Sequence, residues 1–389
     1  MVATPTELSS RDALQSSRLG GARIALCHEW LTTFGGSEVV AGHIASTLGI
    51  EDVYSFTVNE ALASELFPAR RVRTVPGLGG IKFAQRHWQW LLGAMPSAWR
   101  DLDLSDYDVV ITSSHACVNS IRTRPDAIHI SYCHTPMRYA WDWRSEIGRF
   151  PGFVRPLWPR VAARLRAQDR ARASNVTKFI ANSRNVAARI ERNYGRTAEV
   201  VYPPTDTDYW CPDPSVEKED FFLLAGRLVP YKRPEIAVQA AEVAGVPLVI
   251  AGSGPMLEQV RATSGDNVRV VEAPTRSELR DLYRRAKALV FPGEEDFGMT
   301  MVEAQACGAP VIALGRGGAL EAVKHDVTGH LCGGGSASEF AGAMTIFESA
   351  AYGSDLMRVH AEGFSIQRFD RAIKHIVDAS LSFSHAISS

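Results

Sequence analysis

The sequence alternates, twice over, between short apolar runs of strand length and longer stretches of helical period. In the first series ARIALCH (22–28), DVYSFT (52–57), YDVVITS (107–113), AIHISYC (127–133) and TKFIAN (177–182) read as strands. Helical patterns start at Ser37 and cover 158–173 and 184–194. The second series runs FFLLAG (221–226), PLVIAG (247–252), VRVVEA (268–273), KALVFPG (287–293) and APVIAL (309–314), again with helical segments between. Runs that are apolar throughout need cover on both faces, so the pattern predicts parallel sheets wrapped by helices. VVYPPTDTDYWCPDP (200–214), with four prolines, interrupts the alternation and reads as a linker.

The expected fold is therefore α/β, two doubly wound Rossmann-like domains facing across a cleft. A loose tail (1–21) precedes an N-terminal domain (22–203), a C-terminal domain (204–366) and a last amphipathic helix (367–389). No strand follows that helix, and it is expected to cross back to the first domain. Sheets of this kind take ligands in the crevice at the carboxyl ends of their strands.

Composition removes several classes of function. Forty-two Lys plus Arg against 43 Asp plus Glu leave a net charge of −1, without the basic excess of a nucleic-acid binder. No apolar run approaches the ~20 residues of a membrane span. Six scattered cysteines without a CxxC suit a reducing, cytoplasmic setting, and Cys27, Cys133 and Cys307 lie inside apolar segments. There is no GxxxxGK[ST], and GSGPML (252–257) and GRGGAL (315–320) fail the spacing of a dinucleotide fingerprint. Asp101-Leu102-Asp103 and Asp206-Thr207-Asp208 have a metal-type DxD spacing, but both read as turn acids, and no metal is expected.

Three groups of residues carry chemistry. Gly35 and Gly36, between the first strand and its helix, let backbone amides approach an anion, or form a tight turn with Ser37 as N-cap. Arg227 and Lys232 flank one turn after a strand in AGRLVPYKRP, as a diphosphate clamp or as two solvated cations. FPGEEDFGMTMVEAQACGAPVIA (291–313) holds Glu295 and Glu303 with seven residues between them, Phe297-Gly298-Met299-Thr300 included. A helix starting near Thr300 would put Glu303 in its first turn and aim the amides of 298–301 at an anion. Amides for phosphate beside carboxylates for hydroxyls describe a nucleotide-sugar site.

This E-x7-E block, followed by a small-residue helix and a PVIA strand, resembles retaining glycosyltransferases of the GT-B fold, family 4 type. GGSE (35–38), GRLVPYKRP (226–234), AGSGP (251–255), ANSRNVAARIERNYG (181–195) and VVYPPTD (200–206) add to the resemblance, which runs from about residue 22 to 375. SYCHTPMRYAWDW (131–143) and the EEDFG variant are similar to a bacterial mannosyltransferase branch that makes surface polysaccharides. The resemblance implies that Glu303 binds the ribose hydroxyls and Glu295 the donor sugar, while Arg227 and Lys232 hold the departing diphosphate. It implies that Gly35 and Gly36 place amides near the phosphates or the acceptor and that His134 lies near the donor sugar at the reaction centre, while the amides of Gly298, Met299 and Thr300 are the donor-binding groups that the loop itself offers. His134 also ends an apolar strand just before a Thr-Pro turn.

The implied donor is a nucleotide sugar, GDP-mannose first, with no further cofactor. The implied acceptor is a glycan or lipid-linked sugar. A UDP-sugar transferase, an epimerase or phosphorylase of the same fold, and a non-catalytic sugar-nucleotide-binding subunit are the alternatives. Residues 149–172 contain seven arginines and one acid, and residues 81–100 contain three tryptophans and no acid. These stretches suit either docking on anionic lipid at the inner face of the membrane or arginine stems packed over buried tryptophans.

Overall fold

A computed structural model describes residues 21–77, 91, 94–143 and 152–388. The chain divides into two compact units, one of residues 203–368, the other of residues up to 202 together with those from 369 on.

In the N-terminal unit the described strands form one parallel sheet: β1 (Ile24–His28), β2 (Asp52–Ser55), β3 (Arg71–Thr74), β4 (Val109–Ser114), β5 (Ile128–Cys133), β6 (Lys178–Ala181) and β7 (Ala198–Val200). Their order is β3-β2-β1-β4-β5-β6-β7, so the winding reverses between β1 and β4. Register there sets His28 beside Ser113, and Ser114 beside Cys133, which immediately precedes His134. Every residue of β4 and β5 is buried, the polar ones included, and Thr112 and Ser131 both donate to Asn119 Oδ1, at 2.7 and 3.0 Å.

Helix α1 (Gly36–Thr47) follows β1, α2 (Trp158–Ala173) precedes β6, and α3 (Arg184–Tyr194) follows it. The N-cap of α1 is Gly35 and not Ser37, whose hydroxyl instead donates to the Glu38 carboxylate at 2.8 Å. Helix α3 is capped conventionally, Ser183 Oγ accepting from the Val186 amide and Gly195 closing the helix at φ 66°.

The C-terminal unit repeats the plan with β8 (Phe222–Ala225), β9 (Leu248–Ala251), β10 (Val268–Val271), β11 (Ala288–Phe291), β12 (Val311–Leu314) and β13 (Gly329–Cys332), all parallel. Their order, β10-β9-β8-β11-β12-β13, places the reversal between β8 and β11. Helices α4 (Pro234–Ala244), α5 (Arg276–Arg285) and α6 (Met299–Ala306) pack on the sheet, and α5 opens on a capping box of Thr275 and Glu278. Phe222, Leu248, Ile250, Val290, Ile312 and Phe340 lie in one of its apolar clusters, each burial contributing about 1.5–3 kcal/mol.

The last helix, α7 (Ile366–Ser388), is amphipathic. Its Phe369, Ile373, Ile376 and Val377 fall on one stripe and enter the N-terminal core with Leu26, Ile44 and Tyr132. The rings of Phe369 and Tyr132 lie 6.0 Å apart, and Thr47 donates to Asp370 at 2.6 Å.

Much of the basic, tryptophan-bearing sequence (81–90, 92–93 and 149–151) lies outside the described residues. Within them, Trp99 and Trp158 are buried, and Asp169 accepts from Trp141 Nε1 and the Tyr194 hydroxyl at 2.7 Å each. The outer face of α2 exposes Arg160, Val161, Arg164 and Arg170, next to exposed Leu157. Among the described residues, no helix is long and apolar enough to cross a membrane. Both DxD sequences sit in turns. Asp103 accepts from the Ser105 amide and hydroxyl, while Asp206 accepts from the Tyr209 amide and pairs with Arg276 at 2.6 Å.

Candidate functional site

The residues singled out in the C-terminal half gather where its sheet reverses direction, at the carboxyl ends of β8 and β11. That is where open parallel sheets leave a crevice. After β8 the chain passes through Gly226 at φ 116°, a left-handed conformation that favours glycine, and reaches the exposed Arg227. One short turn, Pro230–Lys232, then folds Lys232 back. Its ammonium lies 3.1 Å from the point a Gly226 Cβ would occupy, so any side chain at 226 would crowd it.

Lys232 Nζ pairs with Glu295 Oε1 at 3.0 Å, with side-chain exposures of 14% and 17%. Burial, the largest single influence, would lower the lysine pKa, but Glu295 together with Tyr231 and Glu303 outweighs it and the net shift is upward. Lys232 is thus a fixed, permanently charged cation and not a solvated surface group. Arg227 makes no ion pair or hydrogen bond among the described residues and stays exposed. Thr300 Oγ1 lies 3.8 Å from the same Gly226 Cβ position, so Gly226, Lys232, Glu295 and Thr300 form one cluster.

Glycines let these loops interlock. A Cβ on Gly293, just past β11, would come within 2.6 Å of Lys232 Cα and 2.7 Å of the Tyr231 carbonyl. One on Gly318 would come within 2.2 Å of Phe297 Cα, and the Gly318 amide donates to the Glu295 carbonyl at 2.7 Å. GRGGAL thus braces the Glu295 loop from behind.

Helix α6 begins at Met299 after Gly298, whose φ is 96°. Glu303 is therefore the fifth helical residue, in the second turn and not the first, because Gly298 ends the loop one residue earlier than the Thr300 start predicts. The amides of Met299 and Thr300 have no carbonyl partner within the helix, whereas that of Met301 donates to Gly298 at 3.0 Å. Glu303 accepts from the Tyr283 hydroxyl at 3.4 Å. Burial pushes its carboxyl up to about 7, against the opposing pull of Arg276, Tyr283 and Lys232. Tyr283 and Arg276, both on α5, are members of this neighbourhood that motif reading missed.

His134, Gly35 and Gly36 belong to the other unit and also lie at its reversal, beyond β5 and β1. His134 is 9% exposed, its amide donates to the Ser114 carbonyl at 2.8 Å, and its own carbonyl accepts from Asn182 Nδ2 at 3.0 Å. Burial, with His28 nearby, lowers its pKa to about 3, so the imidazole is neutral at physiological pH. Nε2 lies 2.7 Å from Ser113 Oγ. Glu29, which follows β1, was also missed. Its Oε1 accepts from the amides of His115, Ala116 and Val118 and ties down the segment after β4.

Comparison with known proteins agrees with this architecture. Residues 34–209 match the family described as Glycosyltransferase Family 4, and residues 212–356 match Glycosyl transferases group 1. The two matches fall on successive parts of the chain, and the fold, two parallel-sheet Rossmann-like α/β domains, is the one seen in GT-B glycosyltransferases. Among curated relatives, a D-inositol 3-phosphate glycosyltransferase of Mycobacteroides abscessus is 32% identical over 43% of this chain and 43% of its own length. One from Mycolicibacterium smegmatis is 34% identical over 49% of this chain and 48% of its own length. The chain spans about half the length of the curated relatives it matches. The Anabaena protein HepE in complex with UDP and glucose superposes with a TM-score of 0.64 at 19% identity, covering 93% of this chain and 99% of that one. The sucrose-phosphate synthase of Thermosynechococcus elongatus gives 0.68 at 18% identity, covering 92% and 99%. At such identities the likeness is one of fold.

Proposed function

We propose that this protein transfers a hexose from a nucleoside diphosphate sugar to a glycan or lipid-linked acceptor, with retention of anomeric configuration. One observation carries the proposal. A lysine with only 14% of its side chain exposed is held against Glu295 at the carboxyl ends of β8 and β11, beside the Met299 and Thr300 amides that have no carbonyl partner within their helix. Departure of a nucleoside diphosphate builds negative charge, which a fixed cation and helix-end amides stabilise without reorganising. In this reading Lys232 and Arg227 hold the diphosphate, and Glu295 accepts hydrogen bonds from the donor sugar. Glu303 accepts them from the ribose, His134 contacts the reacting sugar, and the Gly35 and Gly36 amides face a phosphate or the acceptor. No metal is assigned a role.

GDP-mannose is the donor we propose, on the resemblance of residues 131–143 and of the EEDFG loop to mannosyltransferases. A UDP-sugar is the second reading, favoured by the UDP and glucose bound to the Anabaena protein of like fold. The exposed arginines of α2 support a further part of the proposal, peripheral docking on anionic lipid, which would bring a lipid-linked acceptor within reach.

Calorimetric titration with GDP, UDP, GDP-mannose and UDP-glucose, with and without EDTA, tests the reading. GDP binding unaffected by EDTA is the expected result. Preference for UDP would overturn the mannose assignment but keep the reaction, and failure to bind any of the four would overturn the transferase.

Glu303 supplies a pH signature. To accept from ribose hydroxyls it must be ionised, and its carboxyl titrates near 7. Nucleotide affinity should therefore rise between pH 6 and pH 8, and the Glu303→Gln variant should bind more weakly with a flat profile. Folding stability should move the other way. A carboxyl raised in the folded state contributes stability that is fully present below its unfolded pKa and is lost as pH rises through about 7. Equal pH dependence of nucleotide binding in wild type and variant would remove Glu303 from the ribose role.

A further inference from the structure

Polar groups at the ends of β1, β4 and β5 form a line inside the N-terminal unit that the sugar-nucleotide chemistry does not itself require. Ser113 Oγ lies 2.9 Å from His28 Nδ1 and 2.7 Å from His134 Nε2. The far nitrogen of His28, Nε2, faces Glu38 Oε1 at 3.7 Å. His28 and Ser113 are fully buried, and Glu38 is 4% exposed. His28 Nε2 has no closer hydrogen-bond partner among the described residues. Glu38 reaches inward because it is the third residue of α1 under a glycine cap. A Cβ on Gly35 would come within 2.7 Å of Glu38 Oε2.

A serine hydroxyl has one proton to give. It donates to one of the two imidazoles and accepts from the other, so the tautomers of His28 and His134 are coupled. A His28 protonated on both nitrogens would donate to Ser113, turn the Ser113 proton onto His134 Nε2 and leave His134 protonated on Nδ1, which is the outcome that opposes the inference below. A neutral His28 with its proton on Nδ1 would do the same, but would set its Nε2 lone pair against a carboxylate. With the proton on Nε2 the same contact is attractive. His28 Nδ1 then accepts from Ser113, and Ser113 accepts from a protonated His134 Nε2. That leaves His134 Nδ1 as a hydrogen-bond acceptor.

We infer that Glu38, His28 and Ser113 are positioning residues that hold His134 as the Nε2–H tautomer, with Nδ1 free to accept from a sugar hydroxyl. The inference rests on the transferase reading for its bearing on the reaction, but its geometry does not. The other rings in the neighbourhood are His115, 5.9 Å from His28 and 6.2 Å from His134, and Tyr132, 5.1 Å from His134.

Long-range proton–nitrogen correlation spectra of histidine-labelled full-length protein at pH 7.5, assigned by single histidine replacements, report the tautomer without substrate. The expected result is a pyrrole-type Nε2 and a pyridine-type Nδ1 on His134. Ser113→Ala and, separately, Glu38→Gln should bring up the Nδ1–H form of the same residue. A wild-type His134 protonated on Nδ1, or one whose tautomer is unchanged in both variants, would overturn the assignment. Because no nucleotide is present, that failure stays distinct from failure of the transferase reading, which the titration decides.

Discussion

Replacing Lys232 with alanine should lower turnover of the nucleotide sugar by about 10²–10³-fold, the usual effect of removing one preorganised group that stabilises developing charge. The side chain is 14% exposed, pinned at 3.0 Å from Glu295 and crowded against Gly226, so water cannot take its place in the same geometry. Nucleotide affinity should fall less than turnover, because the charge on the diphosphate grows as the bond breaks. Folding should survive. Glu295 loses its partner but keeps some contact with solvent at 17% exposure, which limits the destabilisation to about 1–3 kcal/mol. Steady-state kinetics and thermal unfolding of the same preparation separate the two effects. A folded variant with undiminished kcat would remove Lys232 from the leaving-group role.

Gly252→Ala should do comparable damage from outside the charged cluster. Gly252 follows β9 as Gly226 follows β8, and a Cβ on it would sit 1.9 Å from the Gly226 carbonyl oxygen. That oxygen belongs to backbone whose amide donates to Ala251 at 2.9 Å, so it cannot swing aside as a side chain would. The clash must move the turn against which the Lys232 ammonium is packed. Displacements of about 1 Å in a preorganised site cost on the order of 10² in rate, and overpacking of this kind costs about 1–3 kcal/mol in stability. Gly342→Ala is the matched control. Gly342 lies inside the helix Ala337–Thr345, where an added Cβ meets nothing within 4 Å. Its replacement should stabilise by about 0.5–1 kcal/mol and leave turnover unchanged. If Gly252→Ala behaved like that control, the interlocked glycines would not be what positions Lys232.

The strands invisible to pattern reading share a physical cause. β3, β7 and β13 are all edge strands. β3 reads Arg71-Val72-Arg73-Thr74 and is mostly exposed, β7 is three residues long, and β13 contains Gly329 and His330. A strand covered on one side only has no need of a continuous apolar run, and charge at an edge discourages further pairing. Interior strands carry the signal because both of their faces are buried. The site follows the same logic. Glu295 and Glu303 are legible because they share one loop and one helix. The line from Glu38 to His134 is not, because its members come from the first turn of α1, the ends of β1 and β4 and the residue after β5. One sequence-level cue would have found it, namely polar residues at the carboxyl ends of neighbouring strands in an otherwise apolar sheet. Glu303 lies one helical position further on than its spacing predicts, because the left-handed Gly298 is a conformational fact that spacing does not carry.

The return of α7 to the N-terminal core fixes an order of events during synthesis. Domains ordinarily fold as they emerge from the ribosome, the first-made first. Here the unit that is begun first lacks Phe369, Ile373, Ile376 and Val377 until the whole of residues 203–368 has been translated. The later-made domain can mature while the earlier one still waits with an uncovered apolar surface beside Tyr132. Vectorial folding is thereby inverted, and a chain released before residue 369 carries a finished C-terminal unit joined to an unfinished N-terminal one.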